Sequence, residues 1–184
     1  MPGIDDTRPF IPVGIAVLTV SDTRTAEDDR SGDTLAARIL DAGHRLVART
    51  IVPDDKDRIY AQVHAWTMAE EIDVVITTGG TGLTGRDVTP EALEPLFEKR
   101  MDGFSEVFHR ISYDKIGTST IQSRATAGVA NATYVFVLPG SPGACKDAWD
   151  GILKQQLDYR YMPCNFVEIM PRLDEHLKRG GHSR

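Results

Sequence analysis

Residues 14–20, GIAVLTV, and 72–78, IDVVITT, are apolar, β-branched runs without sustained polar–apolar alternation. A strand with one face in water alternates, so runs of this kind read as strands covered on both faces. The intervening chain supplies the cover. TLAARILDAG (34–43) places Leu35, Ile39 and Leu40 at helical spacing and ends on a glycine stop. DKDRIYAQVHAWTMAEE (55–71) carries Ile59, Val63 and Trp66 on one helical face. Between them RLVARTIV (45–52) is a more alternating strand, expected nearer a sheet edge. Strands alternating with helices give an α/β fold, a three-layer α/β/α sandwich with a mostly parallel central sheet.

The later chain continues the pattern with one change. PEALEPLFEKR (90–100) reads as a short helix broken at Pro95, and FSEVFHRI (104–111) as a helix carrying Phe104, Val107, Phe108 and Ile111. SRATAGV (123–129) and YVFVLP (134–139) flank a short turn and form a short antiparallel pair. A strong helix follows over 141–157. Residues 21–33 read as a polar loop, its acidic run 27–33 as a solvated one.

With 184 residues, 41% of them apolar, the chain can bury one substantial core. A net charge of −6 argues against a duplex nucleic acid partner, where a basic face is the usual footprint. It leaves a small anionic ligand open, because backbone amides and a metal can supply positive potential. No apolar run approaches the roughly 18 residues that span a bilayer. The start MPGIDDTRPF has neither the basic nor the apolar region of a secretory signal. Cys145 and Cys164 lack partner motifs and read as reduced thiols. Together these point to a cytoplasmic protein with no membrane partner.

Chemistry is expected at the carboxyl ends of the parallel strands, where open sheets bind ligands. Three segments fall there: Ser21-Asp22, the glycine-rich TGGTGLTGRDVTPE (78–91), and LPGSPGA (138–144). The last two share a design. Each leaves an apolar strand, passes through glycine and reaches Thr89-Pro90 or Ser141-Pro142, an N-cap followed by proline at the first helical position. Two helix starts aimed at one rim suit phosphate. Tight turning explains one glycine cluster; a matched pair points to a ligand. The loops lack the Lys-Ser/Thr ending of a P-loop and the spacing of a dinucleotide fingerprint.

Asp87 lies next to this bare backbone yet is not needed as a cap. Beside phosphate-binding amides a carboxylate repels an anion unless a cation lies between, which indicates magnesium. Arg86 faces the phosphates or pairs with Asp87. Asp54, alone after Pro53, reads as a helix cap. The five histidines show no ligand spacing, and no side-chain nucleophile motif occurs. Phosphoryl or nucleotidyl transfer fits, since positioning and charge neutralisation carry most of that catalysis.

TTGGTGLTGRDVTPEAL and VFVLPGSPGACKDAW resemble the molybdenum cofactor biosynthesis proteins of the MoaB and MogA type, whose relatives include the G domain of gephyrin. VLTVSDTRTAEDDRSGD and the ending MPCNF resemble the MoaB branch. The resemblance covers residues 12–170 as a single domain and leaves 1–11 and 173–184 as flexible termini. It implies a homo-oligomer, trimer or hexamer, acting among other molybdenum cofactor biosynthesis proteins. It implies molybdopterin as substrate, ATP as co-substrate and Mg2+ as cofactor. The pterin's terminal phosphate would attack the α-phosphate of ATP, giving adenylylated molybdopterin and pyrophosphate. The alternative is a non-catalytic oligomeric molybdopterin-binding protein of the same pathway. By position, the family's two important aspartates fall on Asp87, the magnesium ligand, and on Asp54, with Asp55 adjacent and able to serve. Gly79, Gly80, Thr81 and Gly82 would contact phosphate through backbone. Arg86, Thr89, Pro90 and Glu91 continue that string. Ser21, Asp22, Pro139, Gly140 and Ser141 would line the same pocket, and Ser123 and Arg124 match a family stretch near the pterin.

Overall fold

A computed structural model describes residues 1–176. In chain order its elements are β1 (Gly3–Ile4), β2 (Gly14–Val20), α1 (Arg30–Asp41), β3 (Arg45–Val52), α2 (Lys56–Thr67) and β4 (Val74–Thr78). Next come α3 (Thr89–Leu93), β5 (Lys99–Arg100), α4 (Asp102–Ile116), β6 (Thr126–Ala130) and β7 (Thr133–Leu138). The last are α5 (Pro142–Ala148), α6 (Lys154–Gln156), β8 (Tyr161–Met162) and α7 (Phe166–Ile169). A six-stranded sheet has the order β3-β2-β4-β7-β6-β5. The first four strands are parallel; β6 is antiparallel to β7, and β5 is antiparallel to β6.

The sandwich follows from strand alternation between two apolar layers. On one face Ile15, Val17, Val74, Ile76 and Phe136 pack with Leu35 and Ile39 of α1, Phe104 and Phe108 of α4, and Trp149. On the other, Ala16, Leu18, Val75, Val135 and Val137 pack with Ile59 and Val63 of α2 and Leu93 of α3. Every residue of β2, β4 and β7 is buried, as their unalternating sequences require. The alternating strand β3 is one edge, and the two-residue β5 is the other. The β6–β7 hairpin turns on Asn131 and Ala132 at φ 47° and 61°, the left-handed pair of a tight hairpin.

Several sequence expectations need correction. The acidic run is not a solvated loop. Asp29 is 1% exposed and caps α1, which begins at Arg30. Its carboxylate accepts from Gly32 N (2.9 Å), Thr19 Oγ1 (2.8 Å) and Arg49 Nη2 (2.8 Å). Burial opposes ionisation there, but these bonds outweigh it and hold the carboxyl below its ordinary value. Asp29→Ala leaves Arg49 and Thr19 without that acceptor, at a cost of about 2–3 kcal/mol, or roughly 5–10 °C in Tm. This contribution is present above the ordinary carboxylate pKa and is lost as pH falls through the depressed one. A melting series of wild type and variant against pH checks both points.

The first eleven residues do not form a free terminus. β1 pairs with β8, the Phe10 ring packs at a tilt against His44, and the Arg8 guanidinium lies 3.8 Å from the Tyr159 ring centre. At the other end Leu173 packs on the core, and residues 177–184 lie outside those described. The helix expected over 141–157 is interrupted by a π-turn at Trp149–Leu153, and a further short helix, α7, follows it. No helix among the described residues is long and apolar enough to cross a membrane.

Candidate functional site

The chain passes from β2 out to β3, then back across β2 to β4. Strand order reverses between β2 and β4, and the carboxyl ends of those strands open the crevice where doubly wound sheets bind ligands. The loops leaving β2, β3, β4 and β7 meet there. Ser21 N donates to Val52 O (2.9 Å), Gly79 N to Leu138 O (3.0 Å) and Ser31 Oγ to Gly140 O (3.1 Å). Thr78 Oγ1 donates to Pro139 O (2.9 Å).

Gly79 and Gly80 have φ of 109° and 66°. A Cβ on Gly79 would lie 2.1 Å from Val20 O. One on Gly80 would lie 2.3 Å from Thr89 Oγ1 and 3.0 Å from Asp54 Oδ1. The turn therefore runs against neighbouring backbone on one side and faces a carboxylate on the other, which only glycine permits.

Thr89 does not cap α3 as expected. It is the first helical residue, fully buried, and its hydroxyl donates to Gly79 O (2.9 Å) while its N–H donates to Gly80 O (3.0 Å). It pins the glycine turn onto the helix that carries Pro90. Ser141 is a true cap, accepting from Ala144 N (3.1 Å) with Pro142 in the first turn.

The two adjacent aspartates after β3 divide their roles. Asp55 caps α2, accepting from Arg58 N (2.9 Å). Asp54 is turned into the crevice instead of capping. Its carboxylate accepts from Asp22 N (3.0 Å) and its own N–H donates to Asp22 Oδ1 (3.0 Å). Burial and the charges of Asp22 and Asp87 push the Asp54 carboxyl above its ordinary value. Asp87 is held the other way. Thr84 donates to it from N (2.9 Å) and Oγ1 (2.6 Å), and together with the Gly82 amide these overcome burial and lower its pKa. Arg86 does not pair with Asp87; it grips Asp22 through two bonds (3.0 and 2.8 Å).

The crevice thus collects Ser21, Asp22, Asp54, Gly79, Gly80, Asp87, Gly140 and Ser141. Arg124 lies behind the glycine loop, paired with Glu91 and donating to the loop's carbonyls, and Thr81 and Gly82 accept from it. The Ser123 hydroxyl is buried without a partner. Thr84 and Ser31 escaped the sequence reading. Thr84 stands three residues before Asp87, the spacing of a local side-chain turn, and that was the available signal. Among the described residues no cluster of three or more His, Cys, Asp and Glu side chains could hold a metal ion. Asp54 and Asp87 supply two carboxylates, the number of protein ligands that a magnesium ion completed by phosphate and water takes.

The family model described as probable molybdopterin binding domain matches residues 16–159. Molybdenum cofactor biosynthesis protein B of Escherichia coli K12 is 53% identical over 157 residues, covering 85% of this chain and 92% of that protein. The Bacillus subtilis protein of that name is 48% identical over 142 residues, covering 77% and 84%. A crystal structure of a molybdenum cofactor biosynthesis protein B superposes with TM-score 0.82 at 38% identity, covering 91% of this chain and 99% of that one. The tungsten cofactor synthesizing protein MoaB from Pyrococcus furiosus gives 0.70 at 37%, covering 78% and 92%. The chain therefore belongs to the molybdopterin-binding domain family, among the molybdenum cofactor biosynthesis proteins of the MoaB type.

Proposed function

We propose that the chain adenylylates molybdopterin with Mg-ATP in the β2–β4 crevice. The observation that carries this reading is the Asp54 carboxylate, which would lie 3.0 Å from a Cβ on Gly80, facing a turn stripped of side chains. A bared backbone fits phosphate, and a carboxylate with raised proton affinity facing it calls for a cation between them.

The division of labour follows from the geometry. The backbone of Gly79 and Gly80 receives the nucleotide phosphates. Ser141 opens α5 on the opposite lip, so its first amides face the second anion. Asp54 and Asp87 would hold magnesium, which supplies neutralisation of charge on the phosphates when bound. Arg86 keeps Asp22 neutralised, so that Asp54 and Asp87 are the crevice carboxylates without an ion pair among the described residues. The nucleophile belongs to the pterin phosphate, in keeping with a crevice built of backbone and carboxylates. The protein's contribution is to set two anions in line and screen their repulsion.

The test is pyrophosphate release from ATP by purified chain with molybdopterin, with and without magnesium. Release that requires all three supports the reading. Tight pterin binding with no release overturns it in favour of a non-catalytic binder. We further take the working form to be a homo-oligomer. Val107, Tyr113, Ile116 and Ile121 leave apolar side chains exposed on and after α4, which supports it. A monomer mass by light scattering would count against that assignment.

A further inference from the structure

Ten residues join β4 to α3, and that connection carries Arg86 and Asp87 without secondary structure of its own. Much of its bonding is internal: Asp87 N donates to Thr84 O (3.0 Å), and Thr84 donates to the Asp87 carboxylate (2.9 and 2.6 Å). Internal bonds shape the tip, and Arg86 ties it to Asp22 in the exposed loop after β2, but neither anchors it to β6 or α3.

We propose that Arg124 is the positioning residue that fixes this loop, and so Asp87, rather than a contact to substrate phosphate. Its main-chain N–H donates to Thr81 O (3.1 Å). Its Nε donates to Gly82 O (2.9 Å) and more weakly to Thr81 O (3.3 Å). Its Nη2 donates to Asp87 O (2.9 Å), and Nη1 pairs with Glu91 in the first turn of α3. One guanidinium therefore holds both ends of the 82–87 tip and the helix that follows. The fork geometry matters: three differently directed acceptors need separate donors on a rigid plane, which a lysine ammonium does not supply.

The link to Asp87 is direct. In a trans peptide the carbonyl and the following N–H point in opposite directions. Arg124 takes the Thr81 carbonyl, and the Gly82 amide of that same peptide then faces the Asp87 carboxylate and helps hold it in place. Arg124 is itself pinned from behind by α4. Ser105 Oγ donates to Ala125 O (2.8 Å), and His109 Nε2 lies 3.0 Å from Ser123 O. The carbonyls on either side of Arg124 are thus both held by one helix.

The inference rests on the proposed function only for its catalytic consequence, so the test has two arms. In the first, hydrogen–deuterium exchange is followed by mass spectrometry on the full ligand-free chain, comparing wild type, Arg124→Met and Arg124→Lys. Exchange in peptides covering 80–88 is expected to rise about tenfold or more in both variants, with peptides of β7 unchanged as the control for global folding. Wild-type exchange of 80–88 in a folded Arg124→Lys or Arg124→Met chain overturns the proposal. Arg124→Lys retains charge and stem, so it keeps the test available if Arg124→Met does not fold. In the second arm, with molybdopterin and Mg-ATP, Arg124→Lys is expected to lower kcat about tenfold or more while KM for ATP stays within about twofold, since a displaced Asp87 costs positioning rather than binding. A raised KM with kcat and loop exchange unchanged would instead make Arg124 a phosphate contact and sink the inference. If wild type does not turn over at all, the proposed function fails while the exchange arm still decides the role of Arg124.

Discussion

Alanine at position 79 is expected to be among the most damaging single-methyl additions this chain can receive. The added Cβ would sit 2.1 Å from Val20 O, inside any permitted contact, on a residue whose φ of 109° side chains rarely adopt. Neither neighbour has room to retreat. Val20 ends β2 in register with Val52, and the next residue, Ser21, donates to Val52 O at 2.9 Å. Gly79 is itself tied to Leu138 O at 3.0 Å and accepts the Thr89 hydroxyl at 2.9 Å. The strain must be absorbed by parting β2 from β4 or by unlatching the turn from α3. Gly79→Ala should cost about 3–5 kcal/mol, lowering Tm by roughly 10 °C or more. Gly85 is the internal control, because a Cβ there meets nothing within 4 Å. Gly85→Ala should stay within about 0.5 kcal/mol of wild type. Thermal unfolding of the three proteins compares them directly. A Gly79→Ala melt within a degree of wild type would mean that the turn is not held as described.

That asymmetry between glycines also marks how far the sequence could be read. A cluster of four glycines says that backbone is needed bare, but not which glycine meets a carbonyl and which meets solvent. The sheet was legible because burial on both faces leaves strands such as VVITT without alternation. The hairpin was legible because its turn is local. What escaped was fixed by groups distant in sequence. Asp29 looks like its acidic neighbours until Arg49 and Thr19 close over it. Asp54 and Asp55 are chemically alike, and only the loop after β2, 32 residues away, selects Asp54 for the crevice. Arg86 bonds Asp22, 64 residues distant, rather than the adjacent Asp87. Thr89 carried a good cap's chemistry but was spent on Gly79, because the turn folds back over the helix start.

Asp54 and Asp87 should respond to substitution with opposite signs in stability and the same sign in turnover. Asp54 has a raised pKa, so its ionised form is disfavoured in the fold. Its contribution is most favourable below the ordinary value of 3.8 and is lost as pH rises through the raised one. At neutral pH Asp54→Asn removes that penalty and keeps an acceptor for Asp22 N. Ligand-free protein should then melt about 1–2 °C higher, a gain on the order of 0.5 kcal/mol. Asp87 has a lowered pKa, so its contribution is present above 3.8 and lost as pH falls through the depressed value. Asp87→Ala strips two Thr84 bonds from the loop tip and should cost about 1–2 kcal/mol. In turnover, under the proposed reaction, each substitution should lower kcat by roughly a hundredfold or more, since each removes a carboxylate that would hold magnesium against the phosphates. Magnesium with ATP should raise the wild-type melting temperature more than that of either variant, because only the intact pair gains by binding the cation. Stability bought at the expense of turnover is the signature of a group kept strained for its ligand. An Asp54→Asn protein that melts lower than wild type, or that turns over normally, would remove Asp54 from the cation site and leave Asp87 to hold it alone.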